Sequence, residues 1–144
     1  MIVEVSVGEG VRPPVEAERV EAAVRHVLRG EGVDEAEISV ALLNDANIST
    51  MNEEYLDHEG PTDVITFAMH EAEEPPLGDI YIGVEQAVRQ AAEFGAAPAE
   101  EVLRLAVHGT LHVLGYTHPD GDDRVESAMF TRQEELLRTF LSGA

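Results

Sequence analysis

The stretch His108-Gly-Thr-Leu-His112-Val-Leu-Gly115-Tyr-Thr-His118 places three histidines at the spacing H-x-x-x-H-x-x-x-x-x-H. The apolar residues before it predict a helix, on which His108 and His112 lie one turn apart on the same face. Gly115 can leave that helix in the left-handed conformation, so the chain turns back and brings His118 towards the first two imidazoles. Three imidazoles with one position left for water are typical of a catalytic zinc site.

This spacing predicts His108, His112 and His118 as the ligands of one Zn²⁺ ion and as the catalytic residues, acting through the metal-bound water. Zinc lowers the pKa of bound water from about 15.7 to about 7, so hydroxide is available near neutral pH. Three imidazoles also bind nickel, copper or iron, and the spacing does not decide between these metals.

The same spacing matches the metzincin peptidase pattern H-E-x-x-H-x-x-G-x-x-H at every fixed position except one. Gly109 stands where that pattern needs the glutamate that acts as general base. A metallopeptidase-like hydrolase is therefore an alternative that Gly109 disfavours. We expect the missing side chain to open space beside the metal, so that Gly109→Glu would restrict the access of substrate.

Two further stretches accompany the histidines: Pro61-Thr-Asp-Val-Ile-Thr-Phe67 and Leu77-Gly-Asp-Ile80. They resemble the stretches P-T-D-V-L-S-F and L-G-D-I of the YbeY-type rRNA maturation factors, a family of metal-dependent single-strand endoribonucleases. Residues 108–118 resemble the signature H-G-x-L-H-L-x-G-Y-D-H of the same family, with Val113 and Thr117 as the two departures. The three stretches occur in the family's order, and the resemblance covers nearly the whole chain.

The resemblance implies a zinc-dependent endoribonuclease that acts in ribosomal RNA maturation and ribosome quality control. Its implied partners are single-stranded or ribosomal RNA and a ribosomal subunit. Leu56 stands where the family has an arginine implicated in activity, which puts strong nuclease activity in question. If the phosphate contact of that arginine has moved, Arg89 and Arg104 are the candidates to make it.

Apolar periodicity predicts the order strand, helix, strand, helix, strand, strand, helix, helix, helix. Residues 63–69 are apolar on both faces, which predicts a central strand covered on both sides. Helices are predicted from Val15 to Gly30, after an Asn44-Asp45 cap, over 84–95, from Pro98 to Gly115 and over 125–141. The order predicts one α/β domain over residues 1–144: a small mixed, mostly parallel sheet of about four strands surrounded by helices, with the metal site at a helix C-terminus and a cleft.

The formal net charge of −20, with nine arginines and no lysine, is unusual for a nucleic-acid enzyme. Phosphate binding draws much of its affinity from cationic side chains. Either the acidic residues lie on outer faces around a locally positive cleft, or a salt-rich setting screens their repulsion. The acidity and Leu56 also keep a third function open, a non-catalytic ribosome-assembly factor whose metal holds the last helices together.

The absence of cysteine excludes disulfides and thiolate metal sites. No apolar run has the length of a membrane-spanning helix, and the N-terminus has the pattern of a strand rather than of a signal peptide. We therefore expect a cytoplasmic protein without a membrane partner. Its oligomeric state is not indicated.

Several polar residues outside the ligand set have both functional and structural interpretations. Asp79 would orient a ligand imidazole or serve as a plain turn residue, and Tyr116 would stack on a base or pack. Asp63 and Thr62 are favoured as structural residues of a cleft wall or strand end. Solvent-facing positions are predicted for His26, His58 and His70, and either hydrogen bonds to the histidines or a solvated turn for Asp120, Asp122 and Asp123.

Overall fold

The computed structural model describes residues 1–116 and 128–143; the predicted ligand His118 and the residues Thr117, Asp120, Asp122 and Asp123 lie outside this part. Its elements follow the predicted order. They are β1 (Ile2–Val7), α1 (Ala17–Gly30), β2 (Glu37–Leu43), α2 (Asp45–Leu56), β3 (Val64–Ala68), β4 (Leu77–Gly83), α3 (Val84–Phe94), α4 (Pro98–Val113) and α5 (Ala128–Leu141).

Four strands form one sheet in the order β1-β2-β4-β3. β1, β2 and β4 run parallel, and β3 pairs antiparallel with β4. Parallel neighbours need a crossover connection, which α1 supplies between β1 and β2. The predicted fold class, a mixed and mostly parallel sheet of four strands among helices, is confirmed.

The predicted central position of residues 63–69 is wrong, because β3 lies at the edge of the sheet and, in the described part of the chain, pairs with β4 alone. Its apolar residues on both faces have another cause. Thr66 faces α4, whereas Phe67 points to the opposite face, where its ring packs edge-on against Tyr55 of α2 and Tyr81 of β4. Helices thus lie on both sides of β3, although no strand within residues 1–116 and 128–143 flanks its outer edge.

The core lies on the face of the sheet that α1 and α4 cover. Alternate residues of β2 and β4 point to it, and their side chains are fully buried. α3 and α5 pack against the outer side of α4, so α4 is enclosed on most of its surface. The strand residues that form this core are Ile38, Val40, Leu42, Ile80 and Ile82.

The helix ends mostly follow the predicted signals. Asn44 caps α2, since its side-chain oxygen accepts a hydrogen bond from the backbone N–H of Asn47 at 2.8 Å. α1 begins at Ala17 rather than at Val15. Beyond α4, Gly115 has a φ of 107°, so it makes the predicted turn out of the helix.

Within residues 1–116 and 128–143, no helix combines the length and apolar character needed to cross a bilayer.

Candidate active site

One stripe of α4 faces a cleft, while most of the helix is buried. Arg104, His108 and His112 follow one another at intervals of four residues and are half-exposed, whereas their neighbours on α4 are buried. The cleft has a volume of about 640 Å³. Its other walls are formed by Thr62, Asp63, Val64 and Thr66 around the start of β3, by Gln86, Gln90, Glu93 and Phe94 of α3, and by Phe130 and Gln133 of α5.

The first two predicted ligands lie side by side on this stripe. The ring centroids of His108 and His112 are 4.7 Å apart, and the ring planes are inclined at 75°. Among the described residues, no group of three or more His, Cys, Asp or Glu side chains has the arrangement of a metal site. The predicted ligand set is complete only with His118, so the convergence of all three imidazoles stays a prediction.

The side chain of Gln133 in α5 contacts the ring of His108 at its Nδ1 atom. The Nδ1 atom of His108 lies 2.6 Å from the Oε1 atom of Gln133. The Nε2 amide group of Gln133 donates to a carboxylate oxygen of Glu134 at 3.0 Å. Only 5% of Gln133 is exposed, so its amide is buried between these two partly exposed partners.

A carboxylate–arginine cluster lies next to this contact. Arg104 donates from Nε to Glu134 at 2.9 Å and from Nη1 to Glu101 at 2.8 Å, and Glu100 lies 3.7 Å from its Nη2. Burial acts to raise the pKa of Glu134, but hydrogen bonds from Arg104 and Gln133 outweigh it and leave that pKa below its ordinary value. Burial likewise opposes the charge of Arg104, yet its bonds to Glu134 and Glu101 raise its pKa. Both members of the pair are therefore ionised.

The cluster continues to the wall formed by the residues before β3. The amide of Gln90 donates to Glu101 at 3.1 Å and to Asp63 at 3.3 Å. Thr62 donates to the other carboxylate oxygen of Asp63 at 3.4 Å. Asp63 and Thr62 thus line the cleft and tie its wall to α3 and α4, in agreement with the structural role favoured for them.

Gly109 does not lie beside the imidazoles. A Cβ atom at this position would be 2.7 Å from Cγ2 of Ile80 and 3.1 Å from Cγ2 of Thr66, so the residue faces the sheet. The prediction that Gly109 opens space next to the metal is wrong. Helical geometry explains this, because adjacent positions on a helix point about 100° apart. The glycine instead permits close packing of α4 on β4.

Asp79 is also remote from the histidines. It lies within β4, one position before Ile80, and therefore points to the opposite face of the sheet from α4. There its carboxylate accepts a long hydrogen bond of 3.4 Å from the hydroxyl of Tyr81. Burial and this carboxylate raise the pKa of Tyr81. The structure therefore supports neither an imidazole-orienting role nor a turn position for Asp79.

The remaining histidines and Tyr116 have other partners. His58 is exposed, as predicted, but His26 and His70 are half-buried. His26 packs on α5 with its Nε2 atom 2.8 Å from Thr139, and His70 accepts from the backbone N–H of Leu77 at 3.1 Å. Tyr116 donates to Glu31 at 2.9 Å, which supports its packing role rather than base stacking.

The two arginines considered for phosphate binding are both paired with carboxylates. Nη1 and Nη2 of Arg89 each lie 2.9 Å from an oxygen of Asp45. Arg104 is held by the carboxylates of α4 and α5. Their charge is therefore neutralised locally, and the part of the cleft that the structure describes is not a strongly positive channel.

Sequence reasoning missed Gln133, Glu134, Gln90 and Phe94. A signal for Gln133 was present in α5. It lies four residues after Met129 and three before Leu136, on the buried stripe of that helix. A glutamine on a core-facing stripe needs a hydrogen-bond partner, and a histidine on a neighbouring helix is such a partner.

The fold and the cleft define an α/β domain with a paired-histidine site at the side of a mostly parallel sheet. Residues 11–141 match the family model described as endoribonuclease YbeY. The endoribonuclease YbeY of Geobacillus thermodenitrificans is 41% identical over 135 residues, covering 85% of each chain. That of Bacillus subtilis is 41% identical over 133 residues, covering 84% of this chain and 83% of its own.

The chain therefore belongs to the endoribonuclease YbeY family. The solution structure of TM1509 from Thermotoga maritima has a similar fold, with a TM-score of 0.69 and 25% sequence identity over 99% of this chain and 91% of that chain. The predicted family is confirmed, and the predicted enzyme class, a hydrolase that cleaves RNA, is the class named for the family.

Proposed function

We propose that this protein is a zinc-dependent endoribonuclease that binds single-stranded RNA in the cleft beside His108 and His112. The observation that carries the proposal is the pair of imidazoles, 4.7 Å apart, on the cleft-facing stripe of α4. Family membership supports RNA as the substrate. By resemblance we further propose a cytoplasmic role in ribosomal RNA maturation and ribosome quality control, with a ribosomal subunit as partner.

The residues present fit a zinc ion. Imidazole nitrogens are preferred zinc ligands, and histidines that bind metal usually donate their other ring N–H to a carbonyl or carboxylate oxygen. The contact between His108 and Gln133 has this arrangement. His108, His112 and His118 would hold the ion. When bound, zinc lowers the pKa of a coordinated water and offsets negative charge on a phosphate oxygen.

The protein side chains position the RNA in this proposal. Phe94, at the end of α3, lines the cleft and is 78% exposed. An exposed aromatic ring at the edge of a nuclease cleft is suited to stack on an unpaired base. The charge of Arg104 is neutralised by Glu101 and Glu134. Base stacking therefore contributes a larger share of the binding than in an enzyme with a positively charged channel.

Elemental analysis of the purified protein and of His112→Ala tests the metal. We expect about one zinc per chain in the wild type and strong depletion in the variant. Cleavage of a labelled single-stranded RNA, of the same RNA annealed to its complement, and of casein then tests the substrate. Cleavage of the single strand alone supports the proposal, whereas cleavage of casein alone would favour the peptidase alternative.

A non-catalytic assembly factor is the second candidate, favoured by the pairing of Arg89 and of the cleft residue Arg104 with carboxylates and by Leu56, which is exposed at the end of α2. His118→Ala separates the two functions. In the assembly factor this variant lowers the melting temperature, and neither it nor the wild type cleaves RNA. In the nuclease, it abolishes a cleavage that the wild type shows.

A further inference from the structure

The side-chain amide of Gln133 is fixed between two partners that are not equivalent. On one side lies the carboxylate of Glu134, 3.0 Å from the amide nitrogen, and on the other the Nδ1 atom of His108, 2.6 Å from the amide oxygen. An ionised carboxylate only accepts hydrogen bonds. The amide must therefore turn its nitrogen to Glu134 and its oxygen to His108.

The orientation of the amide dictates where the proton of His108 lies. A carbonyl oxygen also only accepts, so a hydrogen bond of 2.6 Å to it requires a proton on Nδ1. In a neutral imidazole the other nitrogen, Nε2, then carries the lone pair. We infer that Gln133 is a positioning residue that holds His108 as the Nδ1–H tautomer and so directs the Nε2 lone pair for metal binding.

Arg104 maintains this arrangement from the other end. It makes two hydrogen bonds to Glu134, from Nε at 2.9 Å and from Nη2 at 3.2 Å, and both geometry and charge favour the ionised carboxylate. A protonated Glu134 could donate to the amide oxygen and let Gln133 turn over. The successive hydrogen bonds from Arg104 to Glu134, Gln133 and His108 thus fix which atom donates at each step, from α4 through α5 and back to the imidazole.

The claim that Nε2 of His108 binds the metal rests on the proposed function, whereas the claim that Gln133 fixes the Nδ1–H tautomer does not. Measuring the tautomer in metal-free protein tests the second claim separately from the first. Long-range ¹H–¹⁵N spectra distinguish protonated from unprotonated ring nitrogens when the pH is high enough for the imidazole to be neutral. The His108 signals are assigned by their loss in His108→Asn.

We expect metal-free wild-type protein to show protonated Nδ1 and unprotonated Nε2 at His108. The opposite tautomer, or an even mixture, would overturn the inference without any variant. If the tautomer is as expected but the protein binds no zinc, the positioning role is supported and the proposed metal site fails.

Three variants test the role of the amide. Gln133→Met removes donor and acceptor at similar volume. The exchange Gln133→Glu with Glu134→Gln keeps an acceptor for Nδ1–H at position 133 and an amide donor at position 134. Gln90→Met removes an amide of the same cleft that bonds to Asp63 and Glu101 instead of an imidazole. We expect Gln133→Met to lose the Nδ1–H preference and to raise the zinc dissociation constant roughly 10- to 100-fold. The exchange of residues 133 and 134 should keep the Nδ1–H tautomer and should not weaken zinc binding, and Gln90→Met should keep both the tautomer and the zinc affinity close to wild type.

A purely structural role gives a different result. It would lower the melting temperature of Gln133→Met and leave the tautomer and zinc affinity unchanged, which would overturn the inference. Equal changes in Gln133→Met and Gln90→Met would also overturn it. If Gln133→Met does not fold, the wild-type spectrum and the exchange of residues 133 and 134 still decide, because loss of the Nδ1–H tautomer in the exchanged protein contradicts an acceptor role.

Discussion

A Cβ atom on Gly109 would lie only 2.7 Å from Cγ2 of Ile80, closer than real side chains approach. We therefore predict that Gly109→Ala destabilises the protein by about 1–3 kcal/mol, as overpacked cores do. The sign of this change in the free energy of unfolding shows whether the position is crowded, because alanine at an open helix position is more favourable than glycine by roughly 0.5–1 kcal/mol. Urea or thermal unfolding measures the effect.

A double-mutant cycle isolates the Gly109 contact. Ile80→Ala removes both Ile80 atoms that crowd the position, so Gly109→Ala in that background should cost less than in the wild type. Additive effects would show that the crowding lies elsewhere. A stabilising Gly109→Ala in the wild type would place the residue at the open cleft, contrary to the structure.

Replacement by alanine is predicted to affect stability at His26 and zinc binding at His112. His26 packs on α5, with its ring 5.5 Å from that of Phe140 and its Nε2 atom next to Thr139. His26→Ala should lower the melting temperature and leave the zinc content unchanged. His112→Ala should lower the zinc content and RNA cleavage. A loss of zinc in His26→Ala would contradict this division.

Phe94 is predicted to bind a base without contributing to the core. Stacking of a base on an aromatic ring contributes about 1–3 kcal/mol, so Phe94→Ala should raise KM for a single-stranded RNA roughly 5- to 150-fold. The melting temperature should change little, since the ring is 78% exposed. Phe94→Tyr should retain the affinity.

Tyr55 provides the matched control for Phe94. It is also an exposed aromatic residue, but it packs on Phe67 at the opposite face of the sheet from α4. Tyr55→Ala is expected to leave KM unchanged. If Phe94→Ala and Tyr55→Ala had the same effect on KM, or if neither had any, the stacking site would be refuted.

Acidification is predicted to weaken the contact between α4 and α5. The pKa of Glu134 in the folded protein lies below its ordinary value of 4.5, because bonds from Arg104 and Gln133 outweigh burial. Its stabilising contribution is therefore complete above about pH 4.5 and is lost as the pH falls through the lower, folded-state pKa. Glu134→Gln should be less stable than the wild type near pH 7.

Melting temperatures measured between pH 7 and pH 3 test this dependence. The difference between wild type and Glu134→Gln should be constant down to about pH 4.5 and should narrow below it. A difference that widens on acidification would mean that the folded-state pKa of Glu134 is raised instead. Glu21→Gln, in an ion pair of α1 with Arg25, controls for a general effect of charge removal.

The sequence was sufficient for features that depend on local pattern. The spacing of His108 and His112 predicts one helical face, and the structure has that face. The turn at Gly115 follows from the sequence in the same way, since only local backbone geometry is involved. The position of β3 was not predictable in this way. An edge strand covered by helices on both faces has the same apolar pattern as a central strand, and only the pairing distinguishes them.

The parts of the site that depend on contacts distant in sequence were also missed. Gln133 meets His108 across 25 residues, and nothing in either local sequence specifies the distance between the two side chains. The prediction that Gly109 lies beside the metal was wrong for a different reason. The histidine spacing shows which face of α4 carries the imidazoles, but it does not show that the adjacent face is pressed against the sheet.

The packing of α4 on β4 has a consequence for engineering this scaffold. A larger residue at 109 meets side-chain atoms of Ile80 and Thr66, so replacement of Ile80 or Thr66 by a smaller residue can compensate for it. At Gly78 the obstruction includes the main-chain carbonyl oxygen of Phe67, 2.8 Å from where a Cβ would sit, which no neighbouring substitution removes. Directed evolution should therefore find tolerated replacements at 109 through paired changes, and should retain glycine at 78.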